Sequence, residues 1–189
     1  MNPIPATTSP TTLSNIEDIL FNSAGLIALA VMTGWAAKKI LGWLGNKLTD
    51  SPIAKALITV AGKSLQVILP AYTIWLLVDH NMAHIPVGKQ ELVKTGVSLL
   101  LSLAHTTSVY HFVLVPIAWA QKIADQTENK LDDVLVPMIG TVIRVAVILV
   151  GAVKAVSIID PETAKSVLAL LATGAVAIGF AAQDTIKNI

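Results

Sequence analysis

Residues Ala169 to Ala182 read ALLATGAVAIGFAA, a run of Ala and Gly in which bulky side chains stand only at selected positions. At about 100° per residue, Thr173, Val176, Phe180, Gln183 and Lys187 fall on one stripe of a helix. Ala172, Ala175, Gly179 and Ala182 form a second stripe, Gly174, Ala177 and Ala181 a third, and Leu171 with Ile178 lies opposite the first. Small residues let helix backbones approach closely, the main device for packing helices where an apolar contact gains little over lipid. One small face suits a dimer. Two of them, flanking a stripe with a polar Thr, Gln and Lys, suit a helix that touches an identical neighbour on each side, and such heterologous contacts close into a homo-oligomeric ring when the rotation permits. Val176 and Phe180 then face the ring axis one helical turn apart, as a dry constriction that gates by dewetting. The plainer alternative is the central helix of one compact bundle, its Ala and Gly serving contacts within the chain; composition leaves both open.

Upstream of this helix lie four more apolar stretches, Ile16 to Ala37, Ile53 to Val78, Leu92 to Trp119 and Val134 to Ile159. Each is about as long as the roughly 20 residues that cross a 30 Å hydrocarbon core. The chain of 189 residues is 54% hydrophobic and only 13% charged, and its mean hydropathy is +0.71. A soluble domain would need far more charge to cover its core. The same composition excludes disorder. A net charge of +1 and the absence of cysteine argue against nucleic-acid binding, thiolate metal sites and cysteine nucleophiles. The expected fold is an all-α membrane protein with about five transmembrane helices, and no enzyme or cofactor is expected.

The expected organisation is a disordered or extended tail over 1–15, two peripheral transmembrane helices over 16–86, a pair of sensor-like helices over 87–160, and a pore-lining helix over 161–189. Ser14 and Glu17 have capping-box spacing for the first helix, and Ser51-Pro52 marks the start of the second. Between them a basic segment with Lys38, Lys39, Trp43, Gly45 and Lys47 reads as the connection. Pro70 should bend the second helix and Pro116 bend or shorten the third. Lys and Arg gather in alternate connections, which by the positive-inside rule puts the N-terminus outside and the C-terminus in the cytoplasm.

The stretch Ser166 to Asn188, SVLALLATGAVAIGFAAQDTIKN, resembles the pore-lining helix of the small-conductance mechanosensitive (MscS-like) channels. Its Ala/Gly repeat, its G-F-A-x-Q and the Asn five residues after the Gln carry the likeness. Lys130-Leu131-Asp132-Asp133 followed by Arg144 resembles the start of the family's preceding helix. The likeness covers about Lys130 to Asn188 and leaves out the first two helices, which larger members carry. It implies a homo-oligomeric channel, usually a heptamer, that opens under bilayer tension and releases ions and small solutes in hypoosmotic shock. By position it places Val176 and Phe180 at the two pore-sealing sites and Ala172, Ala175, Ala177, Gly179 and Ala181 in the packing surface. The family often bends its pore helix at a Gly after the Gln, where this chain has Asp184; Gln183 and Asp184 are the candidate bend, and Asp184 could cap a new helix. Family members continue into a soluble β-domain and a vestibule, so a chain stopping at Ile189 reads as a fragment. The implied partners are membrane lipids and further copies of the chain in a plasma or bacterial inner membrane.

Arg144, mid-helix in the fourth stretch, is costly in a bilayer and invites a contact within the protein or with lipid phosphate. Lys55, Lys63 and Lys154 read as snorkelling residues. His80 and His84 lack a third metal ligand, and His105 and His111 do not share a helix face. Asp132 and Asp133 suit the first turn of the fourth helix. Trp35, Trp43, Trp75 and Trp119 fall near span ends, as interfacial anchors do. A secondary transporter using Arg144 and Asp79 should show inverted repeats and broken helices, which the sequence lacks. A non-conducting scaffold would use the small faces for assembly alone.

Overall fold

The computed structural model describes residues 10–48, 50–126 and 130–187. They form helices α1 (Pro10–Leu48), α2 (Pro52–His80), α3 (Val87–Phe112), α4 (Leu114–Ala124), α5 (Lys130–Ile159) and α6 (Pro161–Lys187). A 3-10 turn, Met82–His84, joins α2 to α3, and no strand occurs among the described residues. Five segments among them are long and apolar enough to cross a membrane: Asn22–Lys47, Pro52–His80, Val87–Ala124, Leu135–Ile159 and Pro161–Phe180. The chain has the build of a multi-pass membrane protein.

Burial is distributed as lipid solvent dictates. The buried hydrophobic side chains are Val60, Ala71, Val97, Ala104, Val113, Ala124 and Ala164, none larger than valine, while Leu29, Met32, Trp43, Ile148 and Leu170 are exposed. A water-soluble core would bury the large residues first; here the small ones are inside because they let backbones meet. Glycine makes the closest contacts. A β-carbon on Gly34 would stand 2.9 Å from the Gln66 Cα, and one on Gly62 would stand 3.0 Å from the Lys38 Cα, so α1 and α2 touch backbone to backbone. Gly140 lies under Ile117 of α4 and Gly151 under Thr106 of α3, which seats α3 and α4 on α5.

Most helical Ser and Thr hydroxyls bond within their own helix, while that of Ser102, buried in α3, meets no partner. Thr33, Thr73, Thr106, Thr107, Ser108, Thr141 and Thr173 each donate to the carbonyl four residues back, at 2.8 to 3.0 Å. In hydrocarbon no water would replace those bonds.

Several expectations are corrected. α1 starts at Pro10, inside the stretch expected to be a tail, so Ser14 lies within the helix rather than capping it; Pro10 is a natural opening residue because its missing N–H is not needed there. Residues 1–9 lie outside the described residues. The basic segment expected to connect the first two helices is helical to Leu48. Its lysines fold back on tryptophans one turn earlier, Lys39 over Trp35 at 4.1 Å and Lys47 over Trp43 at 4.7 Å. Gly45 at the same time admits Ile58 of α2. The third apolar stretch is two helices: α3 ends at Phe112, Val113 lies between, and Pro116 stands in the first turn of α4, where its lack of an N–H costs nothing. α2 runs through Pro70 as one helix, the position at which a bend is expected. Ser51 caps α2, accepting from the Ala54 amide at 3.5 Å with Pro52 following, as its spacing implies.

Candidate functional site

α6 is held at one end only. Asp160 caps it: its Oδ1 accepts the amides of Glu162 at 3.0 Å and Thr163 at 3.2 Å, and the Thr163 hydroxyl donates to its Oδ2. Those bonds to the charged form, first of all the one from the Thr163 side chain, hold the Asp160 carboxyl below its ordinary value. A depressed carboxylate contributes stability that is present above its unfolded pKa and is lost as pH falls through the folded one. Acidification should therefore loosen the first turn of α6. Amide exchange at Glu162 and Thr163, after correction for intrinsic rates, should rise on going below pH 4, and Asp160→Ala should show the fast exchange already at pH 7.

Beyond this anchor the helix leaves its neighbour. Ala164 is buried, Val167 and Leu171 are half-buried, and every position from Ala172 to Phe180 is exposed. Contact is essentially with α5 alone. An open apolar cleft of about 700 Å³ separates the two helices, lined by Leu149, Val153, Leu171 and Ile178, with Lys154 and Ser157 at its α5–α6 turn end. The Leu171/Ile178 side thus turns toward α5.

Ala172, Gly174 and Ala175 also line that cleft, yet like Thr173, Val176 and Phe180 of the mixed stripe they stay exposed. A β-carbon at Gly174 or Gly179 would find no atom within 4 Å, as at Gly25, Gly42, Gly88 and Gly96 and in contrast to Gly34, Gly62, Gly140 and Gly151. Ala172, Ala175 and Ala177 are exposed beside them, Val176 is 58% and Phe180 67% exposed. The Thr173 hydroxyl is occupied by the Ala169 carbonyl at 2.9 Å. The alternative in which α6 is the centre of a compact intrachain bundle does not describe this fold. The backbone stays helical through Ala181, Ala182, Gln183 and Asp184 to Lys187, so no second helix begins at Asp184. Of these five, only the Gln183 side chain is among those described, and it is exposed.

Among the described residues Arg144 pairs with no acid. Its guanidinium carbon stands 5.8 Å from the ring centre of Tyr110 on α3, a cation–π contact, and the Tyr110 and His111 rings meet edge to face at 5.8 Å. Sequence reasoning missed Tyr110, since nothing local ties residues 34 positions apart. It also missed His105. The Nδ1–H of His105 donates to the Leu101 carbonyl at 2.8 Å, which leaves Nε2 to accept the Tyr72 hydroxyl at 3.1 Å and ties α2 to α3. His80 and His84 sit at the end of α2 and in the turn after it, and no group of three metal-ligating side chains gathers anywhere among the described residues. Lys55, Lys63 and Lys154 have no ion pair, and the one salt bridge among the described residues is Lys165 to Glu162 at 2.7 Å on the surface of α6. The side chains of Asp132 and Asp133 lie outside the described residues.

No family model matches the chain, and no curated protein or solved structure matches it.

Proposed function

We propose that this chain is the membrane part of a tension-gated channel of the MscS-like kind, assembled as a ring of identical subunits around α6, in the number usual for that family, seven. The observation that carries the reading is the state of α6. It is an apolar helix exposed at every position from Ala172 to Phe180, with open space around Gly174 and Gly179, in a chain where α1 closes on α2, and α3 and α4 on α5, through Gly34, Gly62, Gly140 and Gly151, while Gly25, Gly42, Gly88 and Gly96 also stand open. In a bilayer small-residue faces gain stability by meeting another helix closely and little by meeting lipid. Neighbouring copies on either side supply those helices and leave Val176, Phe180, Thr173, Gln183 and Lys187 toward the axis.

Gating needs two states of different membrane area. α6 is tied to α5 only through the Asp160 turn and the contacts around Ala164. Tilting of the α3–α5 unit under tension would swing α6 as a lever and withdraw Val176 and Phe180 from the axis. The alternation of lysines puts the N-terminus outside and α6's C-terminal end in the cytoplasm. The full chain reconstituted in liposomes and patched under suction should show tension-activated, weakly selective conductance. Its detergent-solubilised mass should be a multiple, seven on the family's pattern, of the 19.9 kDa chain. A monomer by mass, or a silent patch at lytic tension, would overturn the reading.

A further inference from the structure

The α1–α2 hairpin carries a group of cations that outnumbers its acids and, among the described residues, forms no salt bridge. From Lys38 to Lys63 the chain holds Lys38, Lys39, Lys47, Lys55 and Lys63 against the single acid Asp50. Lys38 is in backbone contact with Gly62, the residue before Lys63, so the two lysines stand at neighbouring levels of the hairpin. The single salt bridge among the described residues, Lys165 to Glu162, is elsewhere.

Depth identifies what could complete the group. The opposite end of the bundle is marked by Asp79 on α2 and Glu91 on α3. Counting about 20 residues of helix from these, the length that crosses a 30 Å core, reaches Thr59 on α2 and His111 on α3. The Gly62–Lys38 contact carries the level of Gly62 across to α1. Lys63, four residues nearer Asp79 than Thr59, and Lys38 at the level of Gly62 therefore stand about one helical turn inside the hydrocarbon boundary, from which a lysine stem reaches the phosphates of a bilayer. Around them the surface is apolar and aromatic: Ile40, Trp43 and Leu57 are exposed, and Trp35 lies under Lys39. A free anion uses only the charge of such a place, whereas a phospholipid uses the charge and the apolar surface together.

We propose that Lys38 and Lys63 form a binding site on the α1–α2 hairpin for the headgroup phosphate of an anionic phospholipid. This holds whether or not α6 lines a pore, since the site lies on the two helices furthest from α6 in sequence. A basic side chain at a lipid surface is worth roughly 1 kcal/mol, about fivefold in affinity.

The full chain in detergent should be titrated with phosphatidylglycerol and phosphatidylcholine in competition and the adducts weighed by native mass spectrometry. Phosphatidylglycerol should be preferred, and Lys38→Gln with Lys63→Gln should lower that preference roughly 25-fold by the per-lysine value. Lys38→Arg with Lys63→Arg, and Lys94→Gln at the opposite end, should leave it unchanged. Equal binding of the two lipids, an unchanged preference in the Gln pair, or an equal loss in Lys94→Gln would overturn the site. Displacement of phosphatidylglycerol by millimolar inorganic phosphate would overturn the lipid assignment in favour of a soluble anion. Should the Gln pair fail to fold, brominated lipids decide on the unaltered chain. Brominated phosphatidylglycerol should quench tryptophan fluorescence more than brominated phosphatidylcholine, and equal quenching refutes the proposal.

Discussion

Replacing Gly174 or Gly179 by leucine should leave the single chain folded and abolish its assembly. At both positions a new side chain would enter open space within the subunit, so intrachain packing loses nothing, and leucine is a better helix former than glycine by about 0.5–1 kcal/mol. In a ring the same side chain would stand where two α6 helices meet, and overpacking a closely fitted contact costs about 1–3 kcal/mol, repeated at every interface. The expected result is a main species at the mass of the 19.9 kDa chain, with helix content unchanged by circular dichroism. Gly62→Leu is the contrasting variant. Its β-carbon would stand 3.0 Å from the Lys38 Cα, so it should separate α1 from α2 and lower the melting temperature of the chain itself. If Gly174→Leu and Gly179→Leu both assemble like the parent, the small faces of α6 are not an interface and the ring is lost with them.

The second large effect is expected at Val176. With α6 around an axis, Val176 and Phe180 make the dry zone, and an amide placed there without partners costs roughly 1–3 kcal/mol per subunit in the closed state. Every 1.4 kcal/mol taken from the closed state raises the open-to-closed ratio about tenfold at a given tension. Val176→Asn should therefore open at distinctly lower suction in liposome patches, while Val176→Leu, which keeps the zone dry, should not. A threshold for Val176→Asn at or above that of the unaltered chain would remove Val176 from the gate. Phe180 gives a graded comparison: Phe180→Ala widens the constriction without making it polar and should produce a smaller shift than Val176→Asn.

Much of this protein was legible before any coordinates. The five spans follow from apolar length, which is a local property because transfer into hydrocarbon sums residue by residue. The Ser51-Pro52 start of α2 is local for the same reason, since a cap bonds to an amide three residues away. The stripes of α6 depend only on the period of a helix. Local signals compete at the end of α1: Lys38, Lys39, Trp43, Gly45 and Lys47 look like a connection, yet lysine stems folding back on Trp35 and Trp43 and the backbone contact with α2 keep α1 helical to Leu48.

By itself, then, the sequence determined the class of protein, the number of spans and the two-faced character of α6, because hydropathy and helical period are carried by neighbouring residues. Only the tertiary structure decided which glycines are used inside the chain and which are left over. Gly34, Gly62, Gly140 and Gly151 are filled by Gln66, Lys38, Ile117 and Thr106, while Gly174 and Gly179, like Gly25, Gly42, Gly88 and Gly96, meet nothing. It likewise decided that Arg144 stacks on Tyr110 and that Lys38 lies against Gly62. Such contacts join residues far apart in the chain, and their energies exist only once the helices have chosen partners, sides and register.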